Sequence, residues 1–187
     1  MNLKEPLRTL LSDDEVHHVL RGYEVLGDIG IITLSPSYDH LDKKIAQVIM
    51  SAHPGLRIVA KRTSDHSGEF RTAPLHKIAG NGSFATIHKE FGLHLHVNAG
   101  NVYFSPRSGS ERYRVTRQVA EGERILVMFS GVGPLVLMLG LHTKASRIVG
   151  VEKNPQAHRL ALKNLEANRK ARNTHFIEGD VSVQFLL

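Results

Sequence analysis

Arg124-Ile125-Leu126-Val127-Met128-Phe129-Ser130-Gly131-Val132-Gly133-Pro134 says more about the fold than any other segment of the chain. An almost wholly apolar run, as expected of a central strand buried on both faces, leads into a Gly-x-Gly turn. Pro134 then suits the first turn of a helix, where its missing N–H costs nothing. A Gly-x-Gly between strand and helix lets the backbone approach a ligand closely. The free N–H groups at the start of the helix favour a polar or anionic group there. A tight corner with no ligand carries the same signature, so the turn alone does not decide between the two.

Toward the C-terminus the pattern predicts a strand over 124–129, a helix over 134–142, a strand over 147–152, a helix over 155–169 and a strand over 174–178. Strands alternating with helices imply a parallel, right-handed βαβ sheet. Arg147-Ile148-Val149-Gly150-Val151 ends on Glu152, 19 residues past Gly133. An acid at that place accepts hydrogen bonds from two ribose hydroxyls; simple pairing with Lys153 is the structural alternative. Glu178-Gly179-Asp180 closes the third strand, at the edge where ligands of such sheets bind. Asp180 suits either an adenine amino group or the cap of a helix from Ser182 onward, and the two roles are compatible. The turn lacks the third glycine of a full G-x-G-x-x-G, which counts against a dinucleotide-dependent dehydrogenase.

Upstream, Arg107 to Val119 reads as a basic helix in which Arg107, Arg112, Arg114 and Arg117 fall close together. On a helix, Arg107, Arg114 and Arg117 lie within about 80° of one another. Such a stripe binds phosphates or is an ordinary solvated face. Further upstream, Ser12-Asp13-Asp14-Glu15 is a capping box for a helix that stops at Gly22. Tyr23 to Leu34 reads as one strand, interrupted or bulged at Gly27, Asp28 and Gly30. Asp39 is expected to cap a helix carrying Leu41, Ile45, Val48 and Ile49, which Pro54-Gly55 ends. Short strands are expected over 56–61, 69–79, 84–90 and 93–98. The expected organisation is an N-terminal helix over 1–22, a small α+β domain over 23–104 and a partial Rossmann-like domain over 106–187.

The bulk numbers agree with a folded protein: 187 residues, 41% apolar and 22% charged. A net charge of +6 favours polyanionic partners, nucleic acid first. The absence of cysteine excludes disulfides and thiolate metal sites. His88, His94 and His96 have no cysteine or carboxylate at a known metal spacing, so no metal is expected. No apolar run approaches the roughly 18 residues of a membrane span, and Lys4, Glu5 and Arg8 do not suit a secretory signal. The cytoplasm is the default location, and no membrane partner is expected.

Phe129-Ser130-Gly131-Val132-Gly133-Pro134, Val151-Glu152-Lys153-Asn154-Pro155 and Gly179-Asp180-Val181 together resemble the archaeal and eukaryotic tRNA (guanine-N1)-methyltransferases and the related aminocarboxypropyl transferases of wybutosine synthesis. Val102-Tyr103-Phe104-Ser105-Pro106-Arg107, Ser110-Glu111-Arg112 and Glu69-Phe70-Arg71-Thr72 extend the likeness over about residues 23–181. The resemblance implies an α/β fold: a Rossmann-like methyltransferase sheet, its first three parallel strands present, preceded by a small α+β domain. It implies S-adenosyl-L-methionine as cofactor and tRNA as partner, with methyl transfer to guanine N1 next to the anticodon. Aminocarboxypropyl transfer from the same cofactor and a non-catalytic RNA- or cofactor-binding module are the alternatives.

The cofactor residues it implies are Phe129, Ser130, Gly131, Gly133, Glu152, Lys153 and Asp180. Arg107 would face the tRNA backbone or target base, beside Arg112, Arg114 and Arg117. Two departures carry expectations. The family has an acid on the strand where this chain has Val127, which implies weak cofactor binding. Its target-base motif follows strand four, and the chain ends at Leu187 ahead of that strand. Strand 124–129 is therefore expected to have an unpaired edge that invites self-association or a complementing chain. Methyl transfer by this chain alone is expected to be undetectable.

Overall fold

The computed structural model describes residues 3–65 and 67–184. The chain divides into two compact units, Met1–Ser67 with Ala73–Thr86, and Gly68–Thr72 with Ile87–Leu187.

In the first unit, helix α1 (Lys4–Leu7) precedes α2 (Asp13–Arg21). The capping box forms as expected: the Glu15 carboxylate accepts from the Ser12 N–H at 2.8 Å and from the Ser12 hydroxyl at 2.9 Å. Residues 23–34 are not one bulged strand. Gly27, at φ 57, turns the chain, so β1 (Glu24–Leu26) and β2 (Ile29–Ile32) form an antiparallel hairpin. Helix α3 (Asp42–Ala52) carries the chain across to β3 (Ile58–Arg62), which runs parallel to β2. Strand β4 (Leu75–Gly80) pairs antiparallel with β3, giving the order β1-β2-β3-β4. Leu7, Val16, Val19, Ile45 and Ile49 from the helices pack against Ile32 and Val59 of the sheet. Asp39 is not the cap of α3. That helix starts after Leu41 without a side-chain cap, and Asp39 is drawn to Lys61 instead. Residues 69–71 form a turn, so the strand expected over 69–79 begins only at Leu75.

The second unit holds β5 (Ala85–Glu90), β6 (Leu93–Asn98), α4 (Gly109–Thr116), β7 (Arg124–Val127), α5 (Pro134–His142), β8 (Arg147–Glu152), α6 (Pro155–Ala167), β9 (Thr174–Glu178) and α7 (Val181–Gln184). Its boundary with the first unit falls inside β5, so residues 87–104 group with the Rossmann-like elements rather than with the small module. The reason lies on α6. The side-chain amide of Asn164 accepts from the His96 N–H at 2.6 Å and donates to the His96 carbonyl at 3.1 Å. Asn168 does the same for His94, at 2.9 and 2.8 Å. Two side chains one helical turn apart thus satisfy backbone groups of β6 as a neighbouring strand would.

Strands β7, β8 and β9 form a parallel sheet in the order β7-β8-β9, with Ile125 opposite Ile148 and Ile148 opposite Thr174. Val136 and Leu139 of α5 pack with Ile148 of β8, against Ile125, Val127 and Phe176. Alternate residues point the other way. Leu126 on β7 is 42% exposed and Ile177 on β9 is 36% exposed among the described residues. The strand also stops at Val127, short of the expected Phe129, because Met128 and Phe129 turn out of the ladder and are 50% and 82% exposed. Among the described residues, β7 pairs with β8 alone. No helix of the described residues is long and apolar enough to cross a membrane.

Candidate cofactor site

Two close approaches set the geometry of the β7–α5 turn. Gly133 lies at φ 85, and a Cβ added there would stand 2.6 Å from the Phe176 ring. A Cβ on Gly150 would stand 2.7 Å from Val136 Cγ2. Helix α5 therefore begins directly against the sheet only because these positions carry no side chain. Gly131, at φ 56, provides the other left-handed residue of the turn.

The turn is stitched to the end of β8. The Ser130 N–H donates to the Val151 carbonyl at 2.9 Å, and the Gly131 N–H donates to one Glu152 carboxylate oxygen at 2.7 Å. The second oxygen accepts from the Asn154 N–H at 2.8 Å. The Glu152 carbonyl takes the Gly179 N–H at 3.0 Å, which joins the end of β9 to the same point. Glu152 is thus held by two backbone donors and not by Lys153. The Ser130 side chain is buried, and its hydroxyl has no hydrogen-bond partner among the described residues.

Asn154, a residue that the motif reading leaves without a role, caps α6. Its carboxamide oxygen accepts from the Gln156 N–H at 2.9 Å and the Ala157 N–H at 3.4 Å, and its amide donates to the Asn101 carbonyl at 3.3 Å. The signal was present as Asn immediately before Pro155 at the first helical position.

Asp180 caps α7, accepting from the Ser182 N–H at 2.9 Å and hydroxyl at 2.7 Å. It also accepts from the Lys153 ammonium at 2.7 Å, and Lys153 reaches Glu69 at 2.5 Å. Lys153 first, and then Ser182, hold the Asp180 carboxyl well below the usual carboxylate range. Asp180 and Glu69 together push the lysine above its ordinary value. Ser130, Gly131, Gly133, Glu152, Lys153 and Asp180 all gather at the carboxyl ends of β7, β8 and β9, with the exposed Phe129 beside the turn.

Arg107, Arg114 and Arg117 do not share one helix. Helix α4 covers only part of the expected segment, and Arg107 lies ahead of it in a 3-10 turn over Pro106–Ser108. Arg112 turns inward. Its guanidinium grips the Glu90 carboxylate at 2.8 and 2.6 Å, donates to the Ser105 carbonyl at 3.2 Å and sits 5.1 Å over the Phe104 ring. Arg114 pairs with Glu111 at 2.7 Å on the exposed face, and Arg107 and Arg117 are also exposed.

A parallel sheet with a glycine turn after one strand and an acid at the end of the next is the arrangement of the Rossmann-like class. Residues 86–185 match the family described as the TRM5/TYW2 methyltransferase domain, and residues 3–83 match the TYW2 N-terminal domain. The chain belongs to the TRM5/TYW2 methyltransferase family. It is 35% identical over 158 residues to the tRNA (guanine(37)-N(1))-methyltransferase Trm5b of Pyrococcus abyssi, covering 84% of this chain and 47% of that protein. It is 36% identical over 148 residues to Trm5b of Methanocaldococcus jannaschii, covering 79% of this chain and 43% of that protein. Among solved structures, it superposes on an aTrm5–tRNALeu complex with a TM-score of 0.86 at 30% identity, over 98% of this chain and 54% of the other. The chain thus spans about half the length of the relatives it matches.

The Arg112–Glu90 pair yields a pH test. Burial works against the Glu90 charge, but hydrogen bonds from His88 and Arg112 outweigh it and hold the carboxyl below its usual range. A depressed folded-state pKa stabilises above the unfolded value, about 4.3, and that contribution disappears as pH falls through the folded one. Arg112→Met leaves Glu90 buried without its main partner, at a cost of about 3 kcal/mol at pH 7. Urea unfolding at a series of pH values should show the gap between the two proteins narrowing on acidification through the glutamate range. A gap that stays constant would mean the pair contributes nothing through its charge.

Proposed function

We propose that the chain carries the cofactor-binding part of an S-adenosyl-L-methionine-dependent tRNA (guanine-N1)-methyltransferase acting in the cytoplasm. The observation that carries this reading is the Glu152 carboxylate, fixed by the Gly131 and Asn154 N–H groups beside the glycine turn. The residues fit that cofactor. Each carboxylate oxygen keeps a second lone pair for a ribose hydroxyl. The left-handed glycines leave the backbone of the turn open to the methionine end, and the unpartnered Ser130 hydroxyl lies buried beside it. Asp180, already charged and oriented by Lys153 and Ser182, suits the adenine amino group. When bound, the cofactor supplies a methyl group on a sulfonium. The work of these residues is to orient it, and alignment of reacting groups is a large share of such catalysis. Names of relatives support guanine N1 of tRNA as the acceptor.

A second reading, aminocarboxypropyl transfer from the same cofactor, is favoured by the match of residues 3–83 to the TYW2 N-terminal domain. The two readings share the cofactor residues and differ in which carbon leaves the sulfur.

Calorimetry with S-adenosylhomocysteine should show weak binding that Glu152→Ala reduces by about tenfold or more, the effect of losing hydrogen bonds to a charged group. Tighter binding of NAD than of S-adenosylhomocysteine would defeat the assignment.

For tRNA, the basic side chains best placed to meet phosphate are the exposed Arg107, Arg114 and Arg117, whereas Arg112 is turned inward on Glu90. Filter binding across a salt series should show affinity falling steeply with salt, and the Arg114→Ala/Arg117→Ala double variant should flatten that slope. An unchanged slope would leave these residues as a solvated face.

A further inference from the structure

A chain of three charged groups crosses the carboxyl edge of the sheet: Asp180 to Lys153 at 2.7 Å, and Lys153 to Glu69 at 2.5 Å. Glu69 does not come from the Rossmann-like run. It lies in Gly68–Thr72, a short strap between β3 and β4 that packs with the second unit while the residues on either side of it belong to the first. The strap is a tight turn, with Gly68 at φ 71, Arg71 at φ 48 and the Arg71 N–H donating to the Gly68 carbonyl at 3.2 Å. Phe70 is 39% exposed and Arg71 is exposed.

We propose that Lys153 is a positioning residue that ties this strap to Asp180, so that a nucleoside bound at Asp180 fastens the strap and the strap in turn helps hold the nucleoside. The inference rests on Asp180 being the adenine contact of the proposed function.

The geometry supports it in two ways. One Asp180 oxygen is committed to the N–H and hydroxyl of Ser182, and the other takes Lys153. The carboxylate is therefore oriented from both sides before any ligand arrives. Lys153, for its part, lies between two carboxylates, and its side chain is 49% exposed against 58% for Glu69 and 34% for Asp180. A half-solvated pair is weak and exchanges readily. That is what a fastening responsive to ligand needs, since a deeply buried pair would stay closed with or without it. Coupling of this kind is reciprocal: whatever the ligand does for the strap, the strap does for the ligand.

Arg71 gives the test its readout, because it is an exposed trypsin site inside the strap. The full chain is digested with and without S-adenosylhomocysteine, and cleavage after Arg71 is followed by mass spectrometry. Wild type should be cleaved there at least about threefold more slowly when the ligand is bound. Glu69→Gln, which touches neither the glycine turn nor Asp180, should lose that protection and bind S-adenosylhomocysteine about two- to fivefold more weakly. Lys153→Gln should behave like Glu69→Gln, whereas Lys153→Arg, which keeps the charge, should restore protection. Ligand binding to wild type with no change at Arg71, or protection undiminished in Glu69→Gln, would overturn the tie while leaving the cofactor site standing. No binding of S-adenosylhomocysteine to wild type would overturn both.

Discussion

The acceptance of the Gly131 N–H by the Glu152 carboxylate is the contact that holds the site together. It joins the turn after β7 to the end of β8. Through the Glu152 carbonyl and the Gly179 N–H, the end of β9 is fixed to the same residue. A parallel sheet presents its strand ends as separate loops, and nothing in the ladder itself aligns them. Here one acidic residue does so with both its side chain and its backbone. The glycine turn, Glu152 and the Asp180 segment consequently share one edge.

That arrangement has a steric requirement as well as an electrostatic one. Gly133 and Gly150 admit no Cβ, because Phe176 and Val136 already fill the space. The helix α5 start, the β8 centre and the β9 ring are therefore interlocked, and the turn backbone is held open by packing behind it. Asn154 extends the same logic to α6. Its side chain caps the helix while its own N–H rests on Glu152, so helix position and acid position are not independent.

The Rossmann-like part was the more legible. Helix α5 and strands β8 and β9 begin and end where the glycine turn, Pro134, Pro155 and the apolar runs predict. Their signals are local, and covalent neighbours enforce them. Features that depend on partners distant in sequence were not legible. Arg112 looks like one more cation of a basic helix, and only folding brings Glu90, 22 positions away, against it. Asn164 and Asn168 look like indifferent helix residues until β6 lies alongside. In the first unit the turn at Gly27 reads equally as a bulge, and Asp39 reads as a cap because its pairing with Lys61 crosses from one element to another.

Whether Glu152 organises a nucleoside site can be read from a crystal structure of the chain soaked with S-adenosylhomocysteine. Density is expected for the ribose with its two hydroxyls on the Glu152 carboxylate, the homocysteine end over Gly131–Gly133 and the adenine toward Asp180. A nucleoside bound elsewhere, with Glu152 still occupied only by the Gly131 and Asn154 N–H groups, would contradict that role.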